Sequence, residues 1–139
     1  MKDQKGFSLI EVVIAIGLLG VIAASFLGAL GTASKVLFIA DERATAESLA
    51  RSQMEYVKKQ AYNGDNVTYG TYATITGIPQ GYTIYGYNQS QPTLFAQRWD
   101  PISGNITASE TGIQRIAVTV GHGNKPAVIK LEDYKARRY

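Results

Sequence analysis

Polar and apolar positions divide this chain into three stretches of different period. From Phe7 to Leu30 nearly every position is apolar, and Val12–Ser34 runs 23 residues without a charge. Such a run is apolar on every side of a helix, as a membrane span is. The 24 residues of Phe7–Leu30 make roughly 36 Å of helix at about 1.5 Å per residue, enough for a bilayer core of about 30 Å. From Lys35 onward the pattern changes. Ala46, Leu49, Ala50, Met54, Val57 and Ala61 recur at steps of three and four, which predicts an amphipathic helix with one apolar stripe. On another side Arg43, Glu47, Arg51, Glu55 and Lys59 alternate in sign every four residues. Each such pair contributes about 0.2–0.5 kcal/mol, and the row reads as a solvated face. No proline or glycine interrupts residues 32–62, so both stretches form one helix, ending near Ala61. There Asn63-Gly64-Asp65-Asn66 offers residues that favour the left-handed C-cap conformation.

Beyond that turn the composition shifts to Tyr, Thr, Gly and Ile, which predicts strands. The expected strands are Thr71–Thr76, Tyr82–Tyr87, Thr93–Trp99, Gln114–Val120 and Ala127–Leu131. In the fourth, Ile116, Val118 and Val120 point one way and Arg115, Ala117 and Thr119 the other. Gly121–Pro126 joins it to the fifth as an antiparallel hairpin whose loop is longer than the tightest turns. The expected fold class is α+β: a long N-terminal helix packed through its Ala46–Val57 stripe on a small antiparallel β-sheet.

Composition narrows the function. The 139 residues suit one compact domain, and the absence of cysteine removes disulfides, Cys-ligated metals and thiol chemistry. A net charge of +3 is too small to argue for nucleic acid. The single histidine, His122, lies between two glycines and reads as a turn residue. Glu132-Asp133 falls far short of the six to eight oxygens that calcium takes. No phosphate-binding loop or nucleophile elbow is present, so no catalytic, cofactor-binding or metal-ligating residue is assigned and no enzyme activity or cofactor is expected. The basic, aromatic end Tyr134–Tyr139 reads as a solvated polar tail. DNA contact there is the competing reading, since aromatics stack on bases.

The apolar segment admits several readings. Lys2 and Lys5 before it fit a signal anchor with a cytoplasmic start. A cleaved signal peptide would use Gly31-Thr32-Ala33, but its apolar region is normally about 7–15 residues. Glu11 needs a separate account. Ser8-Leu9-Ile10-Glu11 matches a capping box, and a carboxylate in the first turn faces the positive end of the helix dipole. Against this, an acidic residue costs about 2.5–3.5 kcal/mol at a membrane-helix centre, less near the interface.

Gly6-Phe7-Ser8-Leu9-Ile10-Glu11, after a short basic leader and before the uncharged run, resembles the class III signal of type IV pilins, shared by type II secretion pseudopilins. The resemblance implies that a membrane aspartyl peptidase, the prepilin peptidase, cuts between Gly6 and Phe7 and methylates the new N-terminal Phe7. Glycine, lacking a side chain, suits an extended backbone in a narrow cleavage site. The resemblance also implies that Glu11 pairs with the N-terminal amine of a neighbouring subunit, a pairing that makes a charge in an apolar core tolerable. Gly20, Ala24 and Gly28, spaced by four with Gly17 and Gly31 nearby, let helices approach closely, although glycine is common in membrane helices generally. Many major pilins carry a proline about where this chain has Gly28. Its first proline is Pro79, a departure that points to a minor subunit.

A long helix followed by a sheet is similar to the pilin fold in outline. The implied domains are a cytoplasmic leader (1–6), a transmembrane and filament-core helix (7–34), an amphipathic helix (35–62) and an antiparallel sheet domain (63–139). The implied partners are other pilins or pseudopilins, the prepilin peptidase and an inner-membrane assembly platform; nucleic acid is not expected. The implied location is the cytoplasmic membrane, single-pass with the C-terminal domain outside, then an extracytoplasmic filament. The alternatives are an uncleaved signal-anchored protein with a ligand- or partner-binding β domain, and a competence pilin contacting DNA.

Overall fold

The computed structural model describes residues 8–64 and 69–138. Gly6 and Phe7 of the expected cleavage site, Asp65 and Asn66 of the expected helix cap, and Tyr139 of the expected tail lie outside them. One helix, α1 (Leu9–Lys59), crosses two compact units that meet at Ala40/Asp41.

In the first unit the described residues after Ser8 are all helix, and every described residue is exposed. Its hydroxyls fold back on the helix: Ser25 donates to Val21 O at 2.8 Å, Thr32 to Gly28 O at 3.1 Å and Ser34 to Leu30 O at 3.1 Å. These three hydroxyls are thereby satisfied without water.

The second unit sets the rest of α1 on six antiparallel strands: β1 (Tyr69–Thr71), β2 (Tyr82–Tyr85), β3 (Leu94–Asp100), β4 (Asn105–Ile106), β5 (Ile113–His122) and β6 (Lys125–Ala136). Central β5 pairs along its length with β6. Its other edge is shared in tandem by β3, against Gln114–Ile116, and β2, against Thr119–His122. β1 and β4 pair with β3. Ala46, Ala50, Met54 and Val57 pack with Tyr72, Ile84, Phe95, Ala96, Ile116, Val118 and Val120 to form the core, so the expected stripe does meet the sheet. Ala61, expected within the stripe, is exposed, and Gln53 is fully buried in its row.

Several boundaries differ from expectation, each for a visible reason. The first strand is Tyr69–Thr71, not Thr71–Thr76, because the backbone after Thr71 bonds to the helix. Gln53 donates to Ala73 O at 2.9 Å and accepts from Ile75 N at 2.8 Å, while Gln60 accepts from Ala73 N at 2.8 Å. β2 stops at Tyr85, since Gly86 comes so close to the Leu94 backbone that a Cβ there would stand 1.9 Å from Leu94 O. The β5–β6 connection is a two-residue turn, Gly123-Asn124, closed by the pairing of His122 with Lys125; Gly123 has φ 56°. The expected longer loop is therefore absorbed into strand. β6 continues to Ala136, so Tyr134–Ala136 is strand and not tail. Both faces of β5 are covered around Ala117 and Thr119, which are buried like Ile116 and Val118. β4 had no counterpart in the expected elements.

The helix ends at Lys59, before the expected Ala61, and Gly64 is not among the left-handed glycines. Its last carbonyls are met from the sheet: Lys135 Nζ donates to Val57 O at 2.6 Å and to Gln60 O at 2.5 Å. A buried ammonium replaces the expected glycine cap.

Candidate functional site

At the start of α1, Glu11 N and Val12 N donate to the Ser8 backbone oxygen at 3.0 and 3.2 Å. The reciprocal side-chain bonds of a capping box do not form among the described residues. The Glu11 carboxylate is exposed and has no hydrogen bond or ion pair there. Gly20, Ala24 and Gly28 follow on the same exposed helix, and a Cβ added at Gly20 or Gly28 would meet nothing within 4 Å. The large side chains around them, including Leu18, Leu19, Ile22, Phe26 and Leu27, are likewise uncovered. Among the described residues these side chains have no partner, a surface suited to cover by lipid or by other helices.

The sheet domain holds three polar clusters. In the first, Glu42 on α1 lies 3.1 Å through Oε1 from His122 Nδ1 and 2.7 Å through Oε2 from Lys125 Nζ. The Tyr82 ring stacks on His122 at 4.3 Å. His122 is thus a strand-end residue that ties the hairpin to the helix, and not the turn residue expected. The hydrogen bond from Lys125 holds the Glu42 carboxyl below its usual range; burial opposes this and His122 adds to it.

The second cluster centres on Glu110. Burial would raise its carboxyl, but the Tyr62 hydroxyl at 2.7 Å, Gly112 N at 2.8 Å and the Arg98 guanidinium at 3.2 Å together bring it below the usual range. Burial and then Glu110 push the Tyr62 phenol up in turn. Arg98 also donates to Ala108 O and Gly64 O, so it closes the chain around the end of the helix. The third cluster is Lys135 with Tyr72, whose ring lies 4.4 Å from the ammonium and whose hydroxyl donates to Gln114. Glu132 pairs with Lys130, and Asp133 with Lys58.

These clusters join helix to sheet, and their acids are already neutralised by bases of the same domain. Glu42, Gln53, Arg98 and Glu110 were not singled out from the sequence. The first two carried a signal: 42, 46, 50, 53 and 57 recur at three- and four-residue steps, so the stripe passes through polar positions. Arg98 and Glu110 meet through strand pairing and a loop, which leave no local pattern.

A helix set on an antiparallel sheet, with its first part bare and apolar, is the pilin-like α+β architecture. Residues 1–27 match the family model described as the prokaryotic N-terminal methylation motif. No curated protein and no solved structure matches the chain. The motif is the signal of type IV pilins and pseudopilins, and the matched residues include Gly6, Phe7, Glu11, Gly20 and Ala24 but stop before Gly28. It points to a pilin-like prepilin: a structural subunit rather than an enzyme, processed by prepilin peptidase and assembled into a filament with other pilins. The bare apolar helix fits an anchor in the inner membrane.

Proposed function

We propose that this chain is a minor subunit of a type IV pilus-like or type II secretion pseudopilus filament. Prepilin peptidase cuts it between Gly6 and Phe7 and methylates Phe7. The observation that carries this reading is the methylation motif of residues 1–27 running into the first part of α1, which is bare among the described residues. An ordinary anchor needs only lipid, whereas a filament subunit must leave lipid and pack on its neighbours. Glu11, without a partner among the described residues, then pairs with the amine that cleavage creates on the neighbouring subunit's Phe7. An unpaired carboxylate in that apolar setting is strongly disfavoured, so the pair fixes register more than it adds stability. Gly20, Ala24 and Gly28 present backbone without bulk, which lets helices come close. The Pro79 position of the first proline favours a minor over a bulk subunit. The leader faces the cytoplasm and the sheet domain lies outside, first at the membrane and then on the filament surface.

The mass of the protein recovered from membranes tests this. Loss of Met1–Gly6 with gain of one methyl group is the expected result. An intact leader on the mature protein would show instead a signal-anchored protein.

A further inference from the structure

The apolar surface of α1 outlasts a membrane. From Leu9 to Ala40 the helix runs 32 residues, about 48 Å at the usual rise, against roughly 40–45 Å for a bilayer with its headgroups. The surplus is Val36-Leu37-Phe38-Ile39, four consecutive apolar residues that face every direction; Phe38 is 76% exposed. Just before them stands Lys35, and between Lys35 and Glu11 there is no other charge. Both are exposed, with no ion pair among the described residues.

Near the other end of the same helix lies a surface with the matching shape. Val12, Ala15, Ile16 and Leu19, at positions i, i+3, i+4 and i+7, border an open apolar groove with Glu11 at its edge. Four residues at that spacing form the hole that accepts one knob from a neighbouring helix, and small Ala15 leaves room for a large one. Phe38 is such a knob. Lys35 lies three residues before it on the same face, as Glu11 lies on the N-terminal side of the hole.

We infer that the Lys35–Phe38 face of one copy docks on the Glu11–Leu19 groove of a second, parallel copy shifted by about 23–24 residues, or roughly 35 Å along the helix. In that register Phe38 fills the hole and Lys35 meets the Glu11 carboxylate. The inference rests on the filament reading and requires at least two copies of this chain in one filament, so filaments that never hold two copies overturn it. It is compatible with a terminal amine on the same carboxylate, since two oxygens can serve two partners, as those of Glu42 do for His122 and Lys125. Lipid tails carry no counter-charge, and the pairing of Phe38 with the hole sets the offset between copies.

The chain has no cysteine, so single cysteines report without background. Two differently tagged full-length copies are co-expressed, one Ala15→Cys and the other Phe38→Cys, and sheared filaments and membranes are oxidised. The expected product is a disulfide-linked dimer carrying both tags, because a disulfide forms only when the Cα atoms come within about 7 Å. Ile16→Cys with Phe38→Cys is a second pair on the same hole and should also cross-link; Ala15→Cys with Leu30→Cys, two turns away, should not. Adding Lys35→Glu should abolish the dimer and Lys35→Arg should keep it. Filaments that contain both copies but cross-link best through Leu30→Cys, or not at all, overturn this register and leave the filament reading intact. Phe38→Cys labelled by a lipid-soluble maleimide without dimer formation places the surplus in the bilayer, and also overturns it. A chain absent from every filament would instead refute the proposed function.

Discussion

Replacing Lys135 by methionine removes one ammonium and keeps most of the apolar stem. In the native domain that ammonium donates to Val57 O at 2.6 Å and Gln60 O at 2.5 Å, both on the negative end of α1. The third carbonyl, Ala61 O at 3.4 Å, is too distant to count for much. Hydrogen bonds to charged groups contribute about 1.5–3 kcal/mol each, so the two are worth roughly 3–6 kcal/mol. Burial works the other way: it pushes the Lys135 ammonium below its ordinary value, and Arg138 adds to the shift. Methionine is spared that cost but leaves two helix carbonyls without a donor. The net expected loss is about 2–3 kcal/mol, weighing the lost bonds against the relieved desolvation. For a domain of this size that lowers the melting temperature by roughly 10–20 °C. Trp99, the only tryptophan, lies 4.8 Å from the Arg115 guanidinium and gives an intrinsic fluorescence signal for unfolding of the full chain in detergent. A Lys135→Met protein melting within about 3 °C of the native one, or above it, would refute the account. The ammonium would then be a net burden that an apolar isostere relieves, as some buried charges are.

Gly86→Ala should be among the most damaging single substitutions, with a loss above about 4 kcal/mol or failure to fold. The added Cβ would stand 1.9 Å from Leu94 O and 2.6 Å from Phe95 Cα, which are backbone atoms and cannot turn aside; soluble yield and the Trp99 melt check it. Acid should destabilise the domain. Glu42 is held below its ordinary 4.5 first by Lys125, Glu132 below 4.5 first by Lys130, and Asp133 below 3.8 first by Lys58. Below those ordinary values the unfolded chain binds more protons than the folded one, so stability is intact above them and falls as pH drops through the lower folded values. A melting series from neutral pH into this acid range should show that decline, and Glu42→Gln should start lower and decline less steeply; equal slopes would remove Glu42 from the explanation.

What the sequence disclosed follows from how local each cause is. The Ala46–Val57 stripe and the Ile116–Val118–Val120 alternation are periodic, and both are core. The methylation motif is contiguous, and Glu11 could be singled out because a charge among apolar neighbours is conspicuous. Polar groups placed by tertiary contact were harder to read. Tyr72–Ile75 looks like strand by composition, yet Gln53, 20 and 22 residues away, and Gln60, 13 away, take the backbone bonds of Ala73 and Ile75. Lys130, Glu132, Asp133 and Lys135 put charge along β6, whose end from Tyr134 onward read as a tail. In fact the first two pair with each other, Asp133 pairs with Lys58, and Lys135 turns inward to the helix end. A charged strand is legible only once its partners are known.

The two units therefore face different physical problems. Among the described residues the sheet domain meets its buried charges and caps its helix from its own side chains. The bare part of α1 finds no cover among the described residues. On the filament reading it exchanges lipid for other helices, and lipid tails are as apolar as leucine, so hydrophobic transfer contributes little to that step. Shape and charge must then decide where each helix stops. The few features that interrupt the apolar surface, Glu11, Lys35 and the glycines between them, are the ones able to do so.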